Sequence, residues 1–128
     1  MARGIIDHAI QGRLPLARDV GTSRWGAARV DRASATLAQR RTPPVLTKYL
    51  GMTVGGTLSA GGFGITTHRY GAQVDQVREL EVVTGEANVV RCSEREQRAL
   101  FEAALAGQGQ CGIITRVVLN LSDASDRV

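Results

Sequence analysis

From residue 77 onward the apolar and polar positions fall into regular patterns. Val77 to Thr84 and Ala87 to Cys92 are two β-branched-rich runs flanking Gly85-Glu86, and they predict a β-hairpin. Ser93-Glu94-Arg95-Glu96 reads as a capping box, with Ser93 as N-cap and Glu96 three residues on. Leu100, Phe101, Ala104 and Leu105 then recur at helical spacing, and Gly107 and Gly109 end that helix. Gly112 to Leu121 predicts a long strand, with Ile113, Thr115, Val117, Leu119 and Leu121 on one face. The order strand, strand, helix, strand predicts an α+β fold, a mainly antiparallel sheet with helices on one face.

Upstream the pattern weakens. Ile5, Ile6, Ala9 and Ile10 suggest a short helix near 4–12, and Ala33 to Gln39 a second one, stopped by Thr42-Pro43-Pro44. The chain therefore divides into an Arg-rich segment over 1–41 and a domain over 42–128. Within that domain, residues 51–64 stand apart, because six of fourteen are Gly. Such density reads as neither a strand nor a helix interior. It suits a backbone that turns sharply or passes close to a ligand. Thr53, Thr57 and Ser59 add hydroxyls, and hydroxyls beside Gly-rich main chain suit phosphate oxygens. No Gly-Lys-Ser/Thr follows, so the stretch is not a Walker loop. Nor does it carry the dinucleotide fingerprint between a strand and a helix.

Composition narrows the class. The chain has 128 residues, 43% apolar and 22% charged, which fits one globular domain rather than a disordered or collagen-like chain. No apolar run approaches the ~18 residues of a membrane-spanning helix. No secretory signal pattern is visible, so the expected location is cytoplasmic. The net charge of +4 is uneven: residues 1–48 carry +6 and residues 49–128 carry −2. The arginines are scattered and few aromatics interleave with them, which argues against nucleic acid as a partner. Cys92 and Cys111 have no second pair at zinc-ligand spacing, so no metal site is expected, and Cys111 reads as a small packed residue. Ser59 and His68 lack the elbow motif and the orienting acid of a hydrolase. Asp75, Glu79 and Glu81 read as a solvated strand entrance.

Five segments together resemble a known family. They are Pro43-Pro44-Val45-Leu46-Thr47-Lys48-Tyr49-Leu50, Thr53-Val54-Gly55-Gly56-Thr57-Leu58-Ser59, His68-Arg69-Tyr70-Gly71-Ala72-Gln73, Leu80-Glu81-Val82-Val83-Thr84-Gly85 and Gly107-Gln108-Gly109-Gln110-Cys111-Gly112-Ile113-Ile114-Thr115-Arg116. In order and spacing they resemble the FAD-binding domain of the vanillyl-alcohol oxidase and p-cresol methylhydroxylase type, in its cytokinin dehydrogenase-like branch. The match runs over 43–121 and corresponds to the second subdomain of that domain.

The resemblance implies FAD as cofactor, held by Thr53, Gly55, Gly56, Thr57 and Ser59. Gly61, Gly62 and Phe63 would pass beside it, and Ile113 or Ile114 would offer main-chain bonds at the adenosine side. It also implies an FAD-linked oxidoreductase in which the cofactor supplies the hard chemistry. Two departures qualify this. Neither His8 nor His68 sits in a flavin-attachment motif, and no counterpart of the first subdomain or the substrate domain is seen. Where the branch places an Asp before Tyr-Leu, this chain has Lys48, which cannot act as that carboxylate base. The expected partners are FAD and a second copy or a complementary flavoprotein chain. The competing expectation is a non-catalytic interaction or self-association module that no longer binds flavin.

Overall fold

The computed structural model describes residues 20–24, 37, 40–49 and 51–124. The helix expected near 4–12, most of the one over 33–39, and His8 lie outside them. The elements are β1 (Val20–Arg24), β2 (Arg41–Thr42), α1 (Val54–Ser59), α2 (Thr67–Tyr70), a 3₁₀ turn (Gln73–Gln76), β3 (Val77–Val83), β4 (Val89–Ser93), α3 (Arg98–Ala104), β5 (Ile113–Asn120) and β6 (Ser122–Asp123).

A four-stranded sheet in the order β1-β5-β3-β4 forms the body, and β2 pairs with β6 beside it. Every pairing is antiparallel. The protein is thus α+β, as the patterning predicts. The β3–β4 hairpin closes where expected, with Thr84 N–H donating to Asn88 O and Ala87 at a positive φ of 62°. The core lies between one sheet face and the helices: Val77, Leu80, Val82, Cys92, Ile114, Val117 and Leu119 meet Val54, Leu58, Phe101 and Ala104.

Five expectations are corrected. The Gly-rich stretch is helical at its centre, as α1. The Ser93–Glu96 box does not cap α3. Ser93 ends β4, and its hydroxyl accepts from the N–H groups of Arg95 and Glu96 at 3.3 and 3.2 Å. Those bonds close a turn, and α3 starts later, after Gln97 at a left-handed φ of 49°.

The even face expected along β5 is also broken. Glu81 pairs with Arg116 but Val82 pairs with Ile114, so Thr115 is an extra residue. The bulge turns Ile114 toward the core and leaves Ile113 half exposed. Thr115 donates its hydroxyl to Glu81 Oε1 at 3.0 Å. A matching irregularity makes Arg78 the extra residue on β3, so that Val77 and Leu80 both face inward. The carboxylates read as a solvated entrance are mostly engaged: Glu81 is buried, Glu79 takes Arg116 at 2.8 Å, and Asp75 accepts the Ala72 N–H at 2.7 Å. Finally, both cysteines are free thiols, with Cys92 buried and Cys111 exposed rather than packed.

Candidate functional site

The site begins with how a poor helix sequence becomes α1. Thr53 sits in extended geometry before it, and its Oγ1 accepts from the Gly56 N–H at 3.2 Å. Val54 and Leu58, four residues apart, bury one face of α1 in the core. Thr57 lies on the buried side and donates its hydroxyl to Val54 O at 2.9 Å. Ser59 donates to Gly55 O at 2.9 Å. Hydroxyls that bond to their own helix are spent as donors. Of these three, Thr53 only accepts, so its proton is still available.

Glycine lets main chain approach main chain here. A Cβ on Gly55 would lie 3.1 Å from Ile114 O, so α1 rests directly on β5. The loop after α3 straps the far end of α1 through Ala106 N–H to Leu58 O and Gln108 N–H to Ser59 O. At Gly112 φ is 143°, and a Cβ would meet Val83 O at 2.5 Å.

These contacts enclose a groove of about 240 Å³ lined by Thr53, Gly55, Gly56, Ser59, Gly109, Gly112, Ile113 and Ile114. No charged side chain is among them. A Cβ on Gly109 would meet nothing within 4 Å, so its missing side chain leaves the groove open. Two larger depressions, of about 460 and 410 Å³, share Asp75, Val77, Glu94 and Arg95 and hold none of the Gly-rich motif.

Six of the residues singled out in the sequence are thus brought together: Thr53, Gly55, Gly56, Ser59, Ile113 and Ile114. Thr57 is buried behind them. Gly61 and Gly62 form the turn after α1, at φ of 101° and 71°, and their carbonyls accept from Val74 and Gln73. Phe63 and Lys48 are exposed and lie outside the groove lining. Sequence reasoning missed Gly109 and Gly112 as lining residues. A signal was present, since residues 107–112 spell Gly-x-Gly-x-x-Gly, but the run follows a helix and opens a strand, the reverse of the dinucleotide fingerprint. Among the described residues no three His, Cys, Asp or Glu side chains gather to hold a metal ion. No helix among them is long and apolar enough to cross a membrane.

The profile of the FAD binding domain family matches residues 25–93, more than half of the chain and including the α1 wall of the groove. The chain belongs to that family. Its FAD-binding domain is of the cytokinin dehydrogenase type. It is similar to an uncharacterized oxidoreductase of the fasciation locus of Rhodococcoides fascians, 47% identical over 105 residues, covering 82% of this chain and 23% of the relative. It is 42% identical to cytokinin dehydrogenase 5 of Arabidopsis thaliana over 127 residues, covering 96% of this chain and 24% of that one. Cytokinin dehydrogenase 10 of Oryza sativa subsp. japonica is 46% identical over 99 residues, 77% of this chain and 18% of the relative. The chain thus spans between about a fifth and a quarter of the length of these curated relatives. The family match also begins at residue 25, well before the Pro43 at which the motifs became recognisable.

Proposed function

We propose that Thr53, Gly55, Gly56, Ser59, Gly109, Gly112, Ile113 and Ile114 form one wall of an FAD site, and that the chain is the cofactor-holding part of an FAD-dependent oxidoreductase. The observation that carries this reading is the convergence of the Thr53–Ser59 motif with Ile113-Ile114 in one uncharged, glycine-lined groove. The donor set fits the cofactor. The missing side chain at Gly109 leaves the groove open to close approach, Thr53 offers a hydroxyl proton, and no lining carboxylate repels a phosphate. Ile113, half exposed at the rim, offers apolar cover that excludes water.

When bound, FAD would supply the electron acceptance; the residues here hold and orient it. Thr57, Gly61 and Gly62 shape α1 and its exit. Lys48 stands outside the groove, and we assign it no proton transfer.

The groove's volume bears on completeness. About 240 Å³ is below the roughly 300–1,000 Å³ of pockets that enclose a whole ligand of ordinary size. We therefore infer that another polypeptide, or a second copy, supplies the opposite wall, and that catalysis needs it. A module without flavin is the competing reading.

Titration of the purified chain with FAD, followed by flavin fluorescence and calorimetry, separates them. The expected result is saturable binding that Ile113→Glu abolishes while the melting temperature holds, since Ile113 is already half exposed. A bulky residue at Gly56 is a poorer probe, because even a Cβ there lies 3.0 Å from Thr53 Oγ1 and disturbs the cap. No binding at millimolar FAD would sink the assignment.

A further inference from the structure

The back of the sheet holds a pair of polar side chains that the flavin reading leaves without a role. Leu80 and Val82 turn into the core, so Glu81 between them points to the other face, away from α1 and the groove. Glu81 is nevertheless buried, and so is Thr115 across from it on β5. The Thr115 hydroxyl bonds to two acceptors on Glu81, Oε1 at 3.0 Å and the main-chain O at 3.2 Å. Arg116 stands opposite Glu81 in the ladder but reaches past it to Glu79 at 2.8 Å. Its Nε is buried with no hydrogen-bond partner among the described residues. A buried donor left unpaired is destabilising, so the chain keeps this arrangement against a local penalty.

What the arrangement secures lies on the front. Val117 is in the core, and strict alternation back from it would turn residues 115 and 113 inward and 114 outward. The bulge at Thr115 reverses this, burying Ile114 and leaving Ile113 half exposed. Both isoleucines line the groove, and α1 is fitted to their setting, since a Cβ on Gly55 would lie 3.1 Å from Ile114 O. A one-residue slip of β5 would therefore rebuild one groove wall without altering any residue of α1. Bulges re-aim side chains in this way. This one stands only while residue 115 faces away from the core, and its hydroxyl, held by Glu81, keeps it there.

We propose that Thr115 and Glu81 are positioning residues for the cofactor site: their bond behind the sheet fixes the register of β5, and with it the setting of Ile113 and Ile114 in the groove. The proposal rests on reading the groove as one FAD wall, but the register can be read without flavin. In the full chain carrying Cys111→Ser, Ile113→Cys places a thiol that a reagent labels rapidly, because position 113 is half exposed and Cys92 is buried. Thr115→Val removes the donor and offers an apolar side chain to the core. Labelling is expected to slow, and FAD affinity in the chain with Ile113 intact to fall, each by about tenfold, as loss of one buried hydrogen bond implies. Thr115→Ser keeps the hydroxyl and restores both. Glu81→Gln keeps an acceptor and matches the parent, while Glu81→Leu leaves only the main-chain O and falls between. Cys92→Ala, a destabilising change on β4, leaves both readouts at the parent's values.

Unchanged labelling in Thr115→Val overturns the proposal, and so does slowed labelling with FAD affinity intact. Thr115→Ser as impaired as Thr115→Val also overturns it, since packing rather than the hydroxyl would then hold the strand. Should Thr115→Val not fold, Glu81→Leu is set against Glu81→Gln in the same two readouts, and equal values overturn the proposal. A parent chain that takes no FAD would sink the cofactor reading alone, and the labelling would still decide what holds β5 in register.

Discussion

Two helices of similar length, α1 and α3, are built on opposite principles. α3 reads Arg-Ala-Leu-Phe-Glu-Ala-Ala, three alanines with an i,i+4 ion pair between Arg98 and Glu102 at 2.7 Å. Local preference and burial agree there. α1 reads Val-Gly-Gly-Thr-Leu-Ser, in which each Gly costs about 1 kcal/mol against Ala and the hydroxyls compete with the helix. Six such residues would not hold a helix alone. They are held by Thr53 at the entrance, by Val54 and Leu58 in the core, and by the loop strapped across the exit. The helix that works against its local preference is the one lining the groove. Its two glycines let it rest on β5 and under the Thr53 cap, and its two hydroxyls turn back onto its own main chain.

If α1 depends on packing, removing its anchor should do most damage. Leu58→Ala, at a fully buried site, is expected to cost about 2–5 kcal/mol in urea unfolding and to abolish FAD binding. Flavin affinity equal to the parent's would break the comparison.

The α3 side supplies a pH signature next. Burial, helped by the Glu79 carboxylate, pushes the Cys92 thiol up to about 11 from an ordinary 9.0. Below pH 9 both folded and unfolded chains hold the proton, and this contribution is intact. As pH rises toward 11 the unfolded chain loses its proton first and stability falls, by roughly 2–3 kcal/mol. Cys92→Ala should flatten that part of the curve. In the same range a thiol reagent should label exposed Cys111 and spare Cys92 until the chain unfolds.

Thr53→Ala removes the cap and is expected to cost about 1 kcal/mol, with Thr53→Ser restoring most of it. A loss of flavin affinity beyond that stability change would sharpen the comparison, tying the hydroxyl to the ligand as well as the helix. Glu102→Gln on α3 should change neither melting temperature nor flavin binding, since both partners of its ion pair are well exposed.

The sequence was most legible where local preference and burial coincide. β3, β4, α3 and β5 all emerge from periodicity, because each has one buried face and flanking turn residues. α1 was hidden, since its stability comes from residues far away in sequence: Ile114 beneath Gly55, Ala106 and Gln108 over its end. The Ser93 turn shows a related limit. The pattern Ser-x-x-Glu describes hydroxyl-to-backbone bonds without saying whether a helix follows them. Bulges are invisible to a two-residue period, so the face of β5 could be read only until Thr115 interrupts it. At the candidate site, the residues sharing a family motif were found, while Gly109 and Gly112 entered only once the loop was seen to fold back over α1.

The irregularities at Arg78 and Thr115 have a consequence for how such sequences can change over time. One extra residue on β3 and one on β5 cancel, so that Val77 still meets Leu119 and Val83 still meets Ile113 at the two ends. A deletion in either strand alone would carry Gly112, Ile113 and Ile114 out of step with α1. Loss of both would restore the ladder while turning the intervening side chains over. Among descendants of this fold, the lengths of the two strands should therefore change together, a heritable trace that would be read in gap positions rather than in residue identities.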